Sequence, residues 1–162
     1  MRILGIDPGY DRLGIAIIEK DRKDSLVYSS CLQTSSKDEI YERFKQIGKE
    51  VTKIISEYKP DALAIETLFL AKNQKTAMRV SEARGIIIYE AIRNDIPVFE
   101  YSPLQIKGAI CGNGASDKMM IIKMIPLLIT LNKKKMLDDE YDAIAVALTH
   151  SALIHSSGLL KK

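Results

Sequence analysis

Arg2-Ile3-Leu4-Gly5-Ile6-Asp7-Pro8-Gly9 decides the fold. An apolar run that stops at a carboxylate and a Pro-Gly pair reads as a buried strand followed by a turn. Leu13–Glu19 resumes as a second strand, and Leu26–Gln33, rich in Val, Tyr and Ser, as a third. Strands this closely spaced predict an antiparallel meander. Beyond them, Ser36-x-x-Glu39 matches a capping box, and Ile40, Phe44, Ile47, Val51, Ile54 and Ile55 recur at helical spacing before Pro60. Asp61–Glu66 reads as a buried strand ending in another carboxylate. A helix is predicted over 73–93 and a short strand over Pro97–Tyr101. Ser102-Pro103-x-Gln105 signals a helix start, Gly112-Asn113-Gly114 its end. A further helix should begin near Ser116 and kink or stop at Pro126. Lys133-Lys134-Lys135 reads as a basic loop, and the last helix as Asp138–Ile154. The expected fold is α/β: a five-stranded mixed sheet, three antiparallel strands then parallel ones, with helices on both faces. No repeat or linker divides the chain, so 1–162 is expected to form a single domain.

Composition narrows the function. The 162 residues are 46% hydrophobic and 28% charged, which excludes a disordered tail. Net charge is only +3, yet it is unevenly placed: residues 1–70 hold 11 basic and 12 acidic side chains, 71–135 hold 11 and 5, and 136–162 hold 2 and 4. A basic middle with carboxylates on both flanks suits an anionic substrate. Cys31 and Cys111 lack the spacing of a zinc site or disulfide framework and fit a reducing cytosol. The opening apolar run is too short for a signal sequence, and Lys123 and Pro126 interrupt the best apolar stretch, so a cytoplasmic protein away from membranes is expected.

The acids carry the chemistry. Singly, Asp7 before Pro-Gly is an ordinary turn residue, and Glu66 could face water. Together, they end strands whose carboxyl ends should share one sheet edge. Asp139 and Asp142 are three apart, hence on one helix face. Asp142 borders Ala143-Ile144-Ala145-Val146-Ala147-Leu148, small apolar residues that must pack closely on something. Converging carboxylates repel and raise their own pKa values, which divalent cations relieve. All-oxygen donors select Mg²⁺ or Mn²⁺, and a pair of such ions supports phosphoryl transfer.

These residues resemble the RuvC family of crossover (Holliday) junction resolvases. The likeness runs through Gly5-Ile6-Asp7-Pro8-Gly9, Gly14-Ile15-Ala16, Ile65-Glu66-x-x-Phe69-x-x-Lys72-Asn73 and Ser81-x-Ala83-Arg84-Gly85. It continues in Tyr101-x-Pro103-x-x-x-Lys107, Gly112-x-Gly114-x-x-Asp117-Lys118 and Asp139-x-x-Asp142-Ala143-Ile144-Ala145. It implies an RNase H-like fold and a homodimer that makes paired nicks in four-way junction DNA, leaving 5′-phosphate and 3′-hydroxyl ends. It also implies metal ligands at Asp7, Glu66, Asp139 and Asp142, Mg²⁺ as cofactor (two ions per site, Mn²⁺ substituting), and a branch-migration motor as partner. Ser116, Met120, Tyr141 and Ile144 depart from the family pattern and leave the acids intact.

The resemblance gives roles to further residues. Lys107 and Lys118 are expected at the scissile phosphate, offsetting transition-state charge. Lys72, Arg79 and Arg84 follow Glu66 as basic DNA contacts, although helix surface alone would account for Arg79. Gly112 and Gly114 would admit a phosphate to backbone amides, or simply turn the chain. Phe69 would stack on an unpaired base, a contact of ~1–3 kcal/mol. The helix over 73–93 is apolar on a wide arc that includes Tyr89 and Ile92, as a face shared with a second copy would be. A junction binder without catalysis would have no use for the acids. An actin-like ATPase, which shares the Asp-x-Gly opening, needs a second domain. A relative acting on RNA is the remaining alternative.

Overall fold

A computed structural model describes residues 1–68, 74–131 and 135–157. Phe69, Lys72, Lys133 and Lys134 lie outside the described residues. The strands are β1 (Arg2–Asp7), β2 (Arg12–Glu19), β3 (Ser25–Gln33), β4 (Ala62–Glu66) and β5 (Val98–Tyr101). The helices are α1 (Ile40–Tyr58), α2 (Gln74–Arg93), α3 (Pro103–Cys111), α4 (Lys118–Leu128) and α5 (Asp138–Ser157). Sheet order is β3-β2-β1-β4-β5. β1–β2 and β2–β3 are antiparallel, and β1–β4 and β4–β5 parallel, as expected.

Alternation along the strands sorts the side chains into two cores. Leu4, Ile6, Leu13, Ile15, Ile17, Leu63 and Ile65 face α1 and α2 and pack on Phe44, Ile47, Val51, Ile54, Ala83 and Ile87. Each such isoleucine or leucine contributes about 1.5–3 kcal/mol by leaving water. On the opposite face Ile3, Ala16, Ile18 and Ala64 meet Ile106, Ile110, Ile121, Ile125 and the Ala143–Leu148 run of α5. The small residues there matter. A Cβ on Gly5 would stand 2.3 Å from the Ala143 carbonyl oxygen, and one on Gly14 2.0 Å from that of Asp139. Glycine at both positions lets α5 lie almost backbone to backbone on β1 and β2, which is the close packing that its alanine run foreshadows.

One helix start differs from expectation. Ser36 does not cap α1. The N-cap is Glu39, without a side-chain cap bond, and Ser35 Oγ accepts from the Lys37 N–H at 3.2 Å. Tertiary anchoring overrides the local motif here: Thr34 donates to the Tyr10 carbonyl (2.6 Å), and Arg43 Nε donates to Thr34 Oγ1 (2.9 Å). α4 begins at Lys118, near Ser116 as expected, with the Asp117 side chain accepting from the Met120 N–H. Pro126 lies in its last turn, and the helix stops two residues later at Leu128. The Ser102 capping box of α3 is present in full, and Gly112 closes that helix at φ 71°, a left-handed position that glycine adopts without strain.

Candidate active site

Strand parity places the first two acids. Asp7 shares the face of Ile3 and Gly5, and Glu66 that of Ala64; this is the α5 face. β1 and β4 are parallel with Ile6 opposite Ile65, so one further step sets Asp7 beside Glu66 at the carboxyl edge. α5 supplies the other pair. Its acids divide by role. Glu140 is buried and structural: it accepts from Ser29 Oγ at 2.7 Å on β3 and from the Leu137 N–H at 3.2 Å. Asp139 and Asp142, one turn apart, look onto the sheet edge instead.

The carboxylates strain one another electrostatically. Burial, then the charges of Asp142, Glu66 and Asp139, raise the Asp7 carboxyl to about 8. Burial and Asp142 raise Glu66 to about 7, against the opposing pull of Lys107 and Lys118. Burial also raises Asp142, against Lys118. A group of acids that resists ionisation is a site short of positive charge. Lys118 supplies part of it, with Nζ 2.8 Å from Asp142 Oδ2 and 3.7 Å from Asp138 Oδ2. On the other side, Arg12 Nη1 stands 3.5 Å from Asp139 Oδ2. Burial and then the Asp139 charge push the neighbouring Cys31 thiol up to about 11, against the pull of Arg12.

The donor set is all oxygen, which suits a hard divalent ion. The fit has two supports. The Lys118 ammonium already stands as a cation among the acids, and Asp139 Oδ2 is a buried carboxylate oxygen without a hydrogen-bond partner. Among the described residues no three acidic, histidine or cysteine side chains are gathered as a metal site. Glu66 and Asp142 instead border an open cleft of about 170 Å³, lined also by Lys107, Lys118, Pro103 and Ile106. Space beside the carboxylates is what a bulky anionic substrate requires.

The other expected contacts divide. Lys107 and Lys118 line the cleft. Arg84 is used internally: Nε donates to the Glu66 carbonyl (3.2 Å), and Nη2 pairs with the Glu100 carboxylate. It thus fixes the strand end that carries Glu66. Arg79 pairs with Glu82 along α2 at 2.9 Å. Gly112 and Gly114 shape the α3–α4 turn. A Cβ on Gly114 would lie 3.4 Å from the Leu104 carbonyl, so the turn doubles back along α3 and returns Lys118 to the cleft.

Two arginines carry roles that the sequence reading did not assign. Arg43 is buried and holds the turn after Asp7 through the Tyr10 carbonyl (3.1 Å) and the Asp11 carboxylate. An arginine four residues before Ile47, on the apolar stripe of α1, was its signal. Arg12, beside Asp139, had none, because strand β2 and helix α5 meet only in the folded chain.

Residues 3–150 match the family model for crossover junction endodeoxyribonuclease RuvC. The crossover junction endodeoxyribonuclease RuvC of Thermosipho melanesiensis is 44% identical over 148 residues, 91% of this chain and 94% of the relative. Its counterpart in Alkaliphilus metalliredigens is 41% identical over 162 residues, 99% of each chain. Among solved structures, Thermus thermophilus RuvC in complex with Holliday junction substrate superposes with a TM-score of 0.90 at 28% identity, covering 96% of both chains. The yeast mitochondrial resolvase Ydc2, at 15% identity and a TM-score of 0.72, shares the fold.

Proposed function

Because this chain belongs to the RuvC family of crossover junction endodeoxyribonucleases, we propose that it resolves Holliday junctions by metal-dependent hydrolysis of the DNA backbone. The observation that carries this reading is the meeting of Asp7, Glu66, Asp139 and Asp142 at one sheet edge, with a lysine ammonium already among them. Asp7 and Glu66 would hold a divalent ion from the sheet, and Asp139 and Asp142 from α5. Mg²⁺ fits the donor set, two ions would balance the four carboxylates, and Mn²⁺ would substitute. Bound there, such ions supply the positive charge that makes water a nucleophile and stabilises the leaving oxygen. Lys107 and Lys118 would grip the scissile phosphate and offset its transition-state charge. The products would carry 5′-phosphate and 3′-hydroxyl ends.

The active unit is a homodimer acting as one nuclease domain per chain. Met78, Gly85, Tyr89 and Ile92 form an exposed stripe along α2, opposite its buried Ala83, Ile87 and Ala91. Spacings of three, four and seven residues keep that stripe on one face. A two-fold dimer presents two sites to a two-fold substrate, and paired nicks follow from the symmetry. Phe69, Lys72, Arg79, Gly112 and Gly114 would contribute junction contacts around each site. A branch-migration motor is the expected partner, in the cytoplasm. Among the described residues no helix is long and apolar enough to cross a membrane. The test is nicking of a labelled four-way junction with Mg²⁺ and with EDTA. Nicks in Mg²⁺ alone support the reading; junction binding without nicks under both conditions would reduce the protein to a binding module.

A further inference from the structure

The Asp139 side of the site differs from the Asp142 side. Lys118 closes on Asp142 at hydrogen-bond distance, 2.8 Å. Arg12 stands 3.5 Å from Asp139 Oδ2, which is shut off from solvent and pairs with no donor there, while the Cys31 thiol hydrogen-bonds to the same carboxyl group. At this separation a guanidinium compensates charge but leaves the oxygen lone pair free. The other arginines of this edge are fixed differently. Arg43 is buried against Thr34, Tyr10 and Asp11, and Arg84 is held by the Glu66 carbonyl and Glu100. The Arg12 side chain is 54% exposed and is carried on the first residue of β2. It has room to turn away from Asp139 without disturbing the fold.

Resting on the reading of the acids as a divalent-metal site, we propose that Arg12 is a displaceable counter-ion. It neutralises Asp139 while no ion is bound. When an ion takes the free lone pair of Oδ2, Arg12 turns to a backbone phosphate of the junction. Arginine does not deprotonate in proteins, so its charge always opposes a divalent cation at the same oxygen. Its forked donors match a phosphate once Asp139 no longer needs them. Arg12 is thus a positioning residue for Asp139 in the free protein and a DNA contact in the complex. Lys107 and Lys118 approach from the helical side, so Arg12 would hold the DNA from the sheet side.

The experiment compares full-length wild type, Arg12→Gln and Arg12→Lys. Electron paramagnetic resonance of free Mn²⁺ measures metal affinity without DNA, and a fluorescent four-way junction in Ca²⁺ measures DNA affinity without cleavage. Arg12→Gln should bind Mn²⁺ about threefold to tenfold more tightly and the junction about threefold to tenfold more weakly, as loss of one partly exposed charge predicts. Arg12→Lys should lie nearer to wild type in both. Equal or weaker Mn²⁺ binding by Arg12→Gln, or unchanged junction binding, would overturn the proposal while leaving the metal site in place. Absence of Mn²⁺ binding by wild type and variants alike would remove the metal site itself, and this proposal with it.

Discussion

Gly14 lies directly beneath Asp139: a Cβ at position 14 would stand 2.0 Å from the Asp139 carbonyl oxygen. The contact is backbone to backbone, so no side-chain rotation relieves it. Gly14→Ala must lift the first turn of α5 from the sheet, carrying Asp139 with it. We expect a loss of ~1–3 kcal/mol in urea unfolding, the usual cost of overpacking. Nicking should fall further than the folded fraction does. Gly108→Ala is the control, since nothing lies within 4 Å of a Cβ there; within α3 it should gain up to ~1 kcal/mol.

The raised carboxyls make stability depend on pH in a defined direction. Asp7 binds its proton up to about 8 when folded, against an ordinary 3.8, and Glu66 up to about 7 against 4.5. Between those limits the folded state holds more protons than the unfolded one, so stability falls as pH rises. Thermal melts in EDTA should show a lower Tm at pH 8 than at pH 5. Asp7→Asn should flatten that slope, and Mg²⁺ should raise the Tm most at the alkaline end, where the carboxylates are ionised.

Asp7→Asn, Glu66→Gln and Asp142→Asn keep shape and remove charge. Charge stabilisation of several kcal/mol by bound metal corresponds to roughly a thousandfold in rate. Each variant should lose about that much nicking in Mg²⁺ and still bind the junction, as read by single-turnover cleavage beside a gel-shift titration. Glu140→Gln should instead act mainly on unfolding, because Glu140 joins α5 to Ser29.

The exposed stripe on α2 makes the proposed dimer testable. Tyr89 and Ile92 are each 61% exposed in the single chain. Ile92→Glu places a charge in the proposed seam and should shift sedimentation toward monomer at micromolar concentration. Helix content should stay unchanged, and paired nicks should give way to single ones. A wild-type protein that sediments only as monomer would contradict the dimer.

Asp7 and Glu66 were legible because each ends an apolar run, and strand parity alone puts both on one face. The alanine run of α5 foretold a close approach, although not that Gly5 and Gly14 receive it. Ser36 misled because Thr34, Tyr10 and Arg43 anchor the chain ahead of α1, and no local motif encodes that. Arg84 reads in the sequence as a DNA contact, and only the folded chain reveals Glu100 and the Glu66 carbonyl as its partners. Arg12 meets Asp139 across 127 positions of sequence. Pairings of that kind follow from topology rather than from spacing.

The most direct measurement is cleavage of a mobile four-way junction beside a linear duplex of the same sequence, in Mg²⁺, with both strand ends labelled. The account predicts symmetric paired nicks in the junction, ligatable 5′-phosphate and 3′-hydroxyl ends, an intact duplex, and no nicks with Asp7→Asn. Equal cutting of the linear duplex, or full activity in Asp7→Asn, would contradict it.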